Sequence, residues 1–213
     1  MHRFPANLLD GYRNFMTGRY SEQQQRYKVL AETGQSPQTL IVACCDSRAA
    51  PETIFDCGPG ELFVVRNVAN MVPPYEPDGQ YHSTSAALEF AVQALQVSNI
   101  VVMGHGRCGG IKAALDPEAE PLSEGDFIGR WMSLLKPAAE QIASNSILTA
   151  AERQRALERV SIRNSIANLR TFPYIRDREQ AGTLSVHGAW FDISTGELWI
   201  MNGETGDFTR PGM

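Results

Sequence analysis

Two short segments carry side chains whose types and spacing could do chemistry. The first is Cys44-Cys45-Asp46-Ser47-Arg48. A thiol, a carboxylate and a guanidinium alternate there, so Cys44, Asp46 and Arg48 face one side if the chain stays extended. The second is Gly104-His105-Gly106-Arg107-Cys108-Gly109-Gly110. His and Cys sit three apart among glycines, which let a backbone turn tightly and approach a bound group. A His-x-x-Cys pair can hold one metal ion from a single turn. Each segment alone also fits a plainer structure. One could be a buried Cys followed by a surface Asp–Arg pair, the other a strand-to-helix turn with an incidental Cys.

Together they say more. Cys44, His105 and Cys108 supply two thiolates and one imidazole. Three protein ligands are the pattern of catalytic zinc, whose fourth position stays open for water or substrate. No second Cys-x-x-Cys or His pair is present to complete a four-ligand structural site. Two thiolates cancel the charge of Zn²⁺, so the ion is a weaker Lewis acid than one held by three histidines and its water needs help. Asp46 can accept a hydrogen bond from zinc-bound hydroxide and aim a lone pair at substrate. It could instead swing in, ligate zinc and shut the site. Arg48 can hold Asp46 ionised and off the metal through a two-pronged salt bridge.

The elements that must position these residues follow from the apolar pattern. Thr39–Ala43, Glu61–Arg66 and Asn99–Met103 read as short buried strands, and both chemical segments directly follow one. Pro51 opens a short helix, Ser83–Leu95 forms a strong one, and Gly109–Leu115 starts another. Strand and helix in alternation give a parallel sheet with helices on its faces, and ligands then bind at the carboxyl ends of the strands. Residues 1–34 form an amphipathic helical arm, divided at Gly18 and stopped at Gly34. After residue 116 come an acidic loop, helices over about 125–143 and 149–171, and strands Leu184–Ile193 and Leu198–Asn202 joined by a hairpin. The chain is read as one domain over residues 1–213: the arm (1–34), a metal-binding α/β core (35–115), and a helical region with edge strands (116–213).

Composition excludes several classes. The formal charge is −5 and basic residues form no run, so no nucleic-acid partner is expected. No apolar stretch is long enough to span a bilayer, so no membrane partner is expected either. The N-terminus lacks the pattern of a secretory signal, and a cytoplasmic location with reduced thiols at Cys44, Cys45, Cys57 and Cys108 is expected. Cys45 and Cys57 are read as buried or idle thiols, His82 as a solvent histidine with a proton shuttle as the alternative, His187 as structural, His2 as frayed, Arg66 and Asn67 as structural, and Trp131, Trp190 and Trp199 as core or interface aromatics.

Cys-x-Asp-x-Arg followed by His-x-x-Cys-Gly-Gly resembles the β-class carbonic anhydrases, closest to their plant-like, non-allosteric branch. The likeness extends through Gly60–Tyr75 (GELFVVRNVANMVPPY), Asn99–His105, Ser161–Leu169 and His187–Leu198. It implies an α/β fold: a mostly parallel central sheet of four strands, an added C-terminal edge strand, and helices on both faces. It implies a homodimer or dimer of dimers with sites at the subunit interface and the arm wrapped on the partner. It implies one Zn²⁺ per chain on Cys44, His105 and Cys108, with Asp46 and Arg48 catalytic, and reversible hydration of CO₂ to bicarbonate by zinc-bound hydroxide. By the same resemblance Gln35, Phe63, Val68, Phe90 and Gly109 contact substrate. Phe90 departs from the branch, which usually has tyrosine there. Ile41 stands where the allosteric bacterial branch has tryptophan, so no bicarbonate-triggered shut-off is expected.

Other readings compete. A hydrolase of carbon disulfide or carbonyl sulfide on the same scaffold would share these residues and differ in access. A non-enzymatic zinc or bicarbonate sensor would have no use for Asp46 and Arg48. A phosphatase-like Cys nucleophile needs a phosphate-cradling loop ending in Arg, whereas Arg107 precedes Cys108.

Overall fold

The computed structural model describes residues 4–77 and 81–212, so His2 lies outside it. The central strands are apolar and β-branched because both their faces are covered, which is what a parallel strand inside an α/β sheet requires. In β1 (Thr39–Cys44) every residue after the first is buried. It lies between β2 (Leu62–Asn67) and β3 (Asn99–His105), parallel to both. The register sets Cys44 opposite Asn67, and Ala43 opposite both Arg66 and Met103. β4 (Ser185–Phe191) continues the parallel sheet beyond β3. β5 (Leu198–Met201) then turns back antiparallel through the Ser194–Glu197 hairpin, with Gly196 at φ 74°.

The expected α/β fold stands, with one strand more than the sequence predicts. β6 (Phe208–Thr209) pairs antiparallel with β5, giving the order β2-β1-β3-β4-β5-β6. Two residues leave no periodicity to read. They are held instead by Arg159, whose guanidinium lies 4.9, 5.1 and 5.3 Å from the rings of Trp190, Trp199 and Phe208.

The sheet has two cores. Leu40, Val42, Ile100 and Val102 face one side, under three helices: α4 (Ser83–Glu89), α8 (Ala150–Leu169) and α9 (Pro173–Gln180). Ile41, Ala43, Met103 and Ala189 face the other, against Ile54 of α3 (Pro51–Ile54) and Phe55. Ser83–Leu95 is not one regular helix: its last turn, Phe90–Ala94, widens to a π-helix, with the Leu95 N–H reaching back to the Phe90 carbonyl. α8 starts on a capping box between Thr149 and Glu152. α9 opens on Pro173 at its first position, a start signal that the reading of 149–171 as the last helix passed over. Beside the sheet lie α5 (Gly109–Ala114), α6 (Phe127–Met132) and α7 (Lys136–Ala143), which build a third apolar cluster around Met71, Ile111, Leu135 and Leu157.

The arm is two helices, α1 (Ala6–Thr17) and α2 (Arg19–Thr33), broken at Gly18 and ended at Gly34 as expected. Neither buries a residue, and Leu8, Leu9, Tyr12 and Met16 of α1 stand exposed. α2 is tied down through Arg26, which donates to the Pro59 carbonyl at 2.8 Å and pairs with Glu61 at 3.0 Å.

α8 packs directly on the sheet because Gly104 and Gly188 leave room for Ile162. A Cβ on Gly188 would sit 2.9 Å from Ile162 Cγ2 and 3.0 Å from Met201 Cβ. Gly188→Ala is therefore expected to cost about 1–3 kcal/mol by overpacking. Urea unfolding measures this, and adding Ile166→Val, which removes the Cδ1 atom 3.1 Å from that Cβ, is expected to recover part of the loss.

Candidate metal centre

β1 and β3 are adjacent and parallel, so Cys44 and His105, their last residues, come to the same carboxyl edge of the sheet. Pleating sends Cys44 inward and leaves Cys45 exposed. After His105 the chain turns sharply, with Arg107 left-handed at φ 57°, and returns Cys108 to the same spot at the start of α5. Gly110 lets this turn close down, since a Cβ there would meet Val68 Cγ1 at 2.7 Å.

The three candidate ligands are 5, 1 and 2% exposed in chain order. Their donor atoms all lie within 4.8 Å of one another, and the two sulfurs are 3.9 Å apart. His105 Nδ1 lies 2.9 Å from the Gly106 carbonyl. That contact assigns the proton to Nδ1 and leaves a lone pair on Nε2, which is buried without a partner. A buried unpaired nitrogen facing two sulfurs is costly in itself and is the donor set a borderline-soft dication takes. The residues fit zinc. The bare thiols compete for a proton: the hydrogen bond from Cys108 pulls Cys44 down against its burial, while Cys44 and burial push Cys108 up. Burial works against a charge on His105, but Cys44 holds its pKa up.

Cys44 is fixed by a strained turn. Its sulfur accepts the Ala69 N–H at 3.4 Å. Ala69 and Asn70 are both left-handed, at φ 64° and 49°. Such residues cost on the order of 1–3 kcal/mol each and persist only where their surroundings fix them. Asn67 does so, donating to the Met71 carbonyl at 2.8 Å and accepting the Met71 N–H at 2.9 Å. Arg66 donates to the carbonyls of Cys44 and Asp46 at 2.8 and 2.7 Å, which holds the chain in place up to its turn at Ser47–Arg48, where the Ala49 N–H returns to the Asp46 carbonyl at 3.1 Å.

Asp46 and Arg48 pair as their spacing predicts. Arg48 Nε and Nη2 donate to the two carboxylate oxygens at 2.9 and 2.7 Å, and the backbone N–H of Arg48 adds a third bond at 2.9 Å. These donors hold the Asp46 carboxyl well below the usual carboxylate range. Its Oδ2 stands 3.9 Å from His105 Nε2, at the edge of the cluster. Arg48 is itself steadied by the Arg107 carbonyl at 3.2 Å.

The expected pocket residues divide. Val68 precedes Ala69, packs by Gly110, and accepts the Trp131 indole N–H on its carbonyl at 2.8 Å. Gly109 follows Cys108 with open space where a Cβ would be. Gln35, Phe63 and Phe90 are elsewhere. Phe63 pairs with Leu40, four residues before Cys44, or about 13 Å along the strand. Phe90 stacks on Phe63 at 5.8 Å between ring centroids and is half exposed. Gln35 is exposed ahead of β1. His187 lies at the far end of the sheet against Asn99.

Sequence reasoning missed the residues behind the ligands. Glu158 of α8 is 3% exposed, accepts the Cys108 N–H at 3.1 Å and accepts the Trp190 indole at 3.1 Å. Gln154 donates to the Cys108 carbonyl at 3.1 Å. No sequence signal marked them, because polar residues along one helix face ordinarily form its solvated side.

Comparison with known proteins agrees with this geometry. A family profile described as Carbonic anhydrase matches residues 39–198, most of the chain and every candidate ligand. The chain belongs to the β-class carbonic anhydrases. Beta carbonic anhydrase 5, chloroplastic, of Arabidopsis thaliana is 40% identical over 189 residues, covering 86% of this chain. The chain spans 61% of that relative's length. Among solved structures, the β-carbonic anhydrase CcaA superposes with a TM-score of 0.88 at 30% identity, covering 97% of this chain and 92% of its own. A tetrameric β-carbonic anhydrase from Sordaria macrospora superposes with a TM-score of 0.78 at 28% identity, covering 95% and 97%. Among the described residues no helix is long and apolar enough to cross a membrane.

Arg48→Ala would leave Asp46 with one backbone donor. Its carboxyl should then rise toward the ordinary value of about 3.9. In the native chain the ionised carboxylate adds stability above that value, and the contribution is lost as pH falls through the lower folded pKa. A carboxyl-carbon NMR titration should show Asp46 protonating at higher pH in the variant.

Proposed function

We propose that the chain catalyses the zinc-dependent, reversible hydration of carbon dioxide to bicarbonate and a proton. The observation that carries this is the buried convergence of Cys44, His105 and Cys108 beside an ion-paired Asp46. Zinc, when bound, supplies Lewis acidity and lowers the pKa of a coordinated water, which makes a nucleophile available near neutral pH.

The chain's own residues do the rest. Cys44, His105 and Cys108 would hold the ion, one per chain. Two thiolates neutralise its charge, so a neutral substrate meets no strong field and an anionic product is free to leave. Asp46, kept ionised by Arg48, accepts a proton-bearing donor at its free lone pairs and orients it toward substrate. The Arg48 pair also restrains Asp46 from entering the coordination sphere itself. Ile41 is buried in the core beneath the sheet, and no shut-off through that position is part of the proposal. Gly109, at the first turn of α5, can offer a backbone N–H to an anion, and Val68 gives an apolar contact.

The proposed assembly is a homodimer, or a dimer of dimers as in the tetrameric Sordaria relative. Phe63 and Phe90 are too far from Cys44 to wall their own site, and Phe90 is half exposed, so the proposal has them, and Gln35, serve the centre of a second copy. The exposed apolar side chains of α1 suit the same partner. All four cysteines are free thiols, as suits the cytoplasmic location proposed.

Stopped-flow CO₂ hydration with zinc stoichiometry tests the reading. One zinc per chain, loss of activity on chelation and recovery on zinc addition are expected. Asp46→Asn should keep its zinc and lose about 100-fold or more in turnover. Full activity in that variant would remove the role given to Asp46. A zinc-loaded chain that turns over carbon disulfide or carbonyl sulfide but not CO₂ would move the function to that hydrolase.

A further inference from the structure

One face of α8 carries a line of polar side chains that is turned largely away from solvent. Gln154, Glu158, Ser161, Ser165 and Asn168 follow at spacings of four, three, four and three, which is one stripe of a helix. Glu158, Ser161 and Ser165 are 3, 0 and 2% exposed. Every member bonds backbone either of the Cys108 turn or of residues 69–72, the loop that lies against Cys44. Gln154 and Glu158 take the carbonyl and the N–H of Cys108, both at 3.1 Å. Ser161 donates to the Ala69 carbonyl at 3.2 Å, and Ser165 donates to the Asn70 carbonyl at 3.3 Å. Ser165 also accepts the Val72 N–H at 3.1 Å, and Asn168 donates to the Val72 carbonyl at 2.8 Å. Ala69, held this way, is the residue whose N–H reaches the Cys44 sulfur.

We propose that this stripe is the template that sets the geometry of the metal centre, and that Glu158 is a positioning residue acting through Cys108. The inference rests on the zinc reading above.

The case for Glu158 is one of donor and acceptor count. It meets two N–H groups on two different oxygens: Cys108 N–H on Oε1 and Trp190 Nε1–H on Oε2. Only a carboxylate offers an acceptor at both places, because an amide presents one oxygen and one NH₂. The two donors come from different elements, the turn after β3 and strand β4. One rigid group therefore fixes the Cys108 turn relative to the sheet. The Trp190 ring also underlies that turn, since a Cβ on Gly106 would sit 3.1 Å from it. Glu158 forms no ion pair with a Lys or Arg among the described residues. A buried carboxylate without a cation is expensive, and an apolar side chain would be cheaper if packing were all this position supplied.

The test is Glu158→Gln, read by zinc affinity in chelator competition and by the thiolate-to-metal charge-transfer band of the cobalt(II)-substituted protein. In the variant one donor must face an NH₂ group. Zinc affinity is expected to fall about 10- to 100-fold, and the cobalt band to shift, with the circular dichroism unchanged. Glu158→Gln/Trp190→Phe removes one donor and lets the amide oxygen serve Cys108. It should bind zinc more tightly than Glu158→Gln alone, a rescue that general loss of packing would not give. Native affinity and spectrum in Glu158→Gln, or additive losses in the double variant, overturn the proposal. If Glu158→Gln does not fold, Gln154→Leu is used, and an unshifted cobalt band with native zinc affinity overturns it. A native chain that binds zinc but does not hydrate CO₂ sinks the function and leaves these readouts intact. A native chain that binds no zinc sinks both.

Discussion

Two sulfur atoms 3.9 Å apart and a bare imidazole nitrogen, all buried, form the constraint on which the rest of this molecule turns. Lone pairs do not gather in a dry interior unaided. The imidazole nitrogen has no hydrogen-bond partner, and an unsatisfied buried polar atom costs about 1–3 kcal/mol. The backbone around them is also held in unfavourable places, at Ala69, Asn70 and Arg107. These features make sense together because a bound dication would satisfy all three ligand atoms at once. The parallel sheet supplies two adjacent strand ends, the glycine-rich turn brings back the third ligand, and the left-handed turn at residues 69–70 steers a backbone N–H onto the first sulfur.

Charge balance decides what sits at the rim. With two thiolates on a dication the centre itself is close to neutral. On the proposed function, control over a bound water then depends on a neighbouring charge, and Asp46 is placed to supply it. Three Arg48 donors hold it ionised, and Arg66 pins the carbonyls on either side of it. The first segment thus has two arginines with different tasks. One binds the side chain that acts, and the other binds the backbone that carries it.

How much of this the sequence disclosed depended on the kind of signal. Cys44, Asp46, Arg48, His105 and Cys108 were legible because their chemistry is rare and their spacing follows strand ends. Gly18 and Gly34 marked the arm's divisions because glycine interrupts helices for a local reason. The π-turn at Phe90–Ala94 was not legible, since the apolar spacing of Ser83–Leu95 is equally good for a regular helix. β6 is two residues whose position depends on Arg159, a contact between segments far apart in sequence. The polar stripe of α8 was hidden for a related reason. Glu, Ser and Asn on a helix ordinarily mark its wet face, and only tertiary structure shows that backbone carbonyls and N–H groups stand where water would be.

The separation of Phe63 and Phe90 from the ligands adds a last constraint. Ligands lie at the carboxyl ends of the strands, while the aromatic pair sits about four residues back, on the edge strand β2 and under the π-turn. No side-chain motion closes a gap of about 13 Å along a sheet. If the pair contacts substrate, it does so in another copy, and a two-fold axis makes that exchange reciprocal. β2 is suited to this: it is the open edge of the sheet, and its residues are only partly buried on both faces. The π-turn matters for the same reason. It begins at Phe90, whose half-exposed ring stands over Phe63.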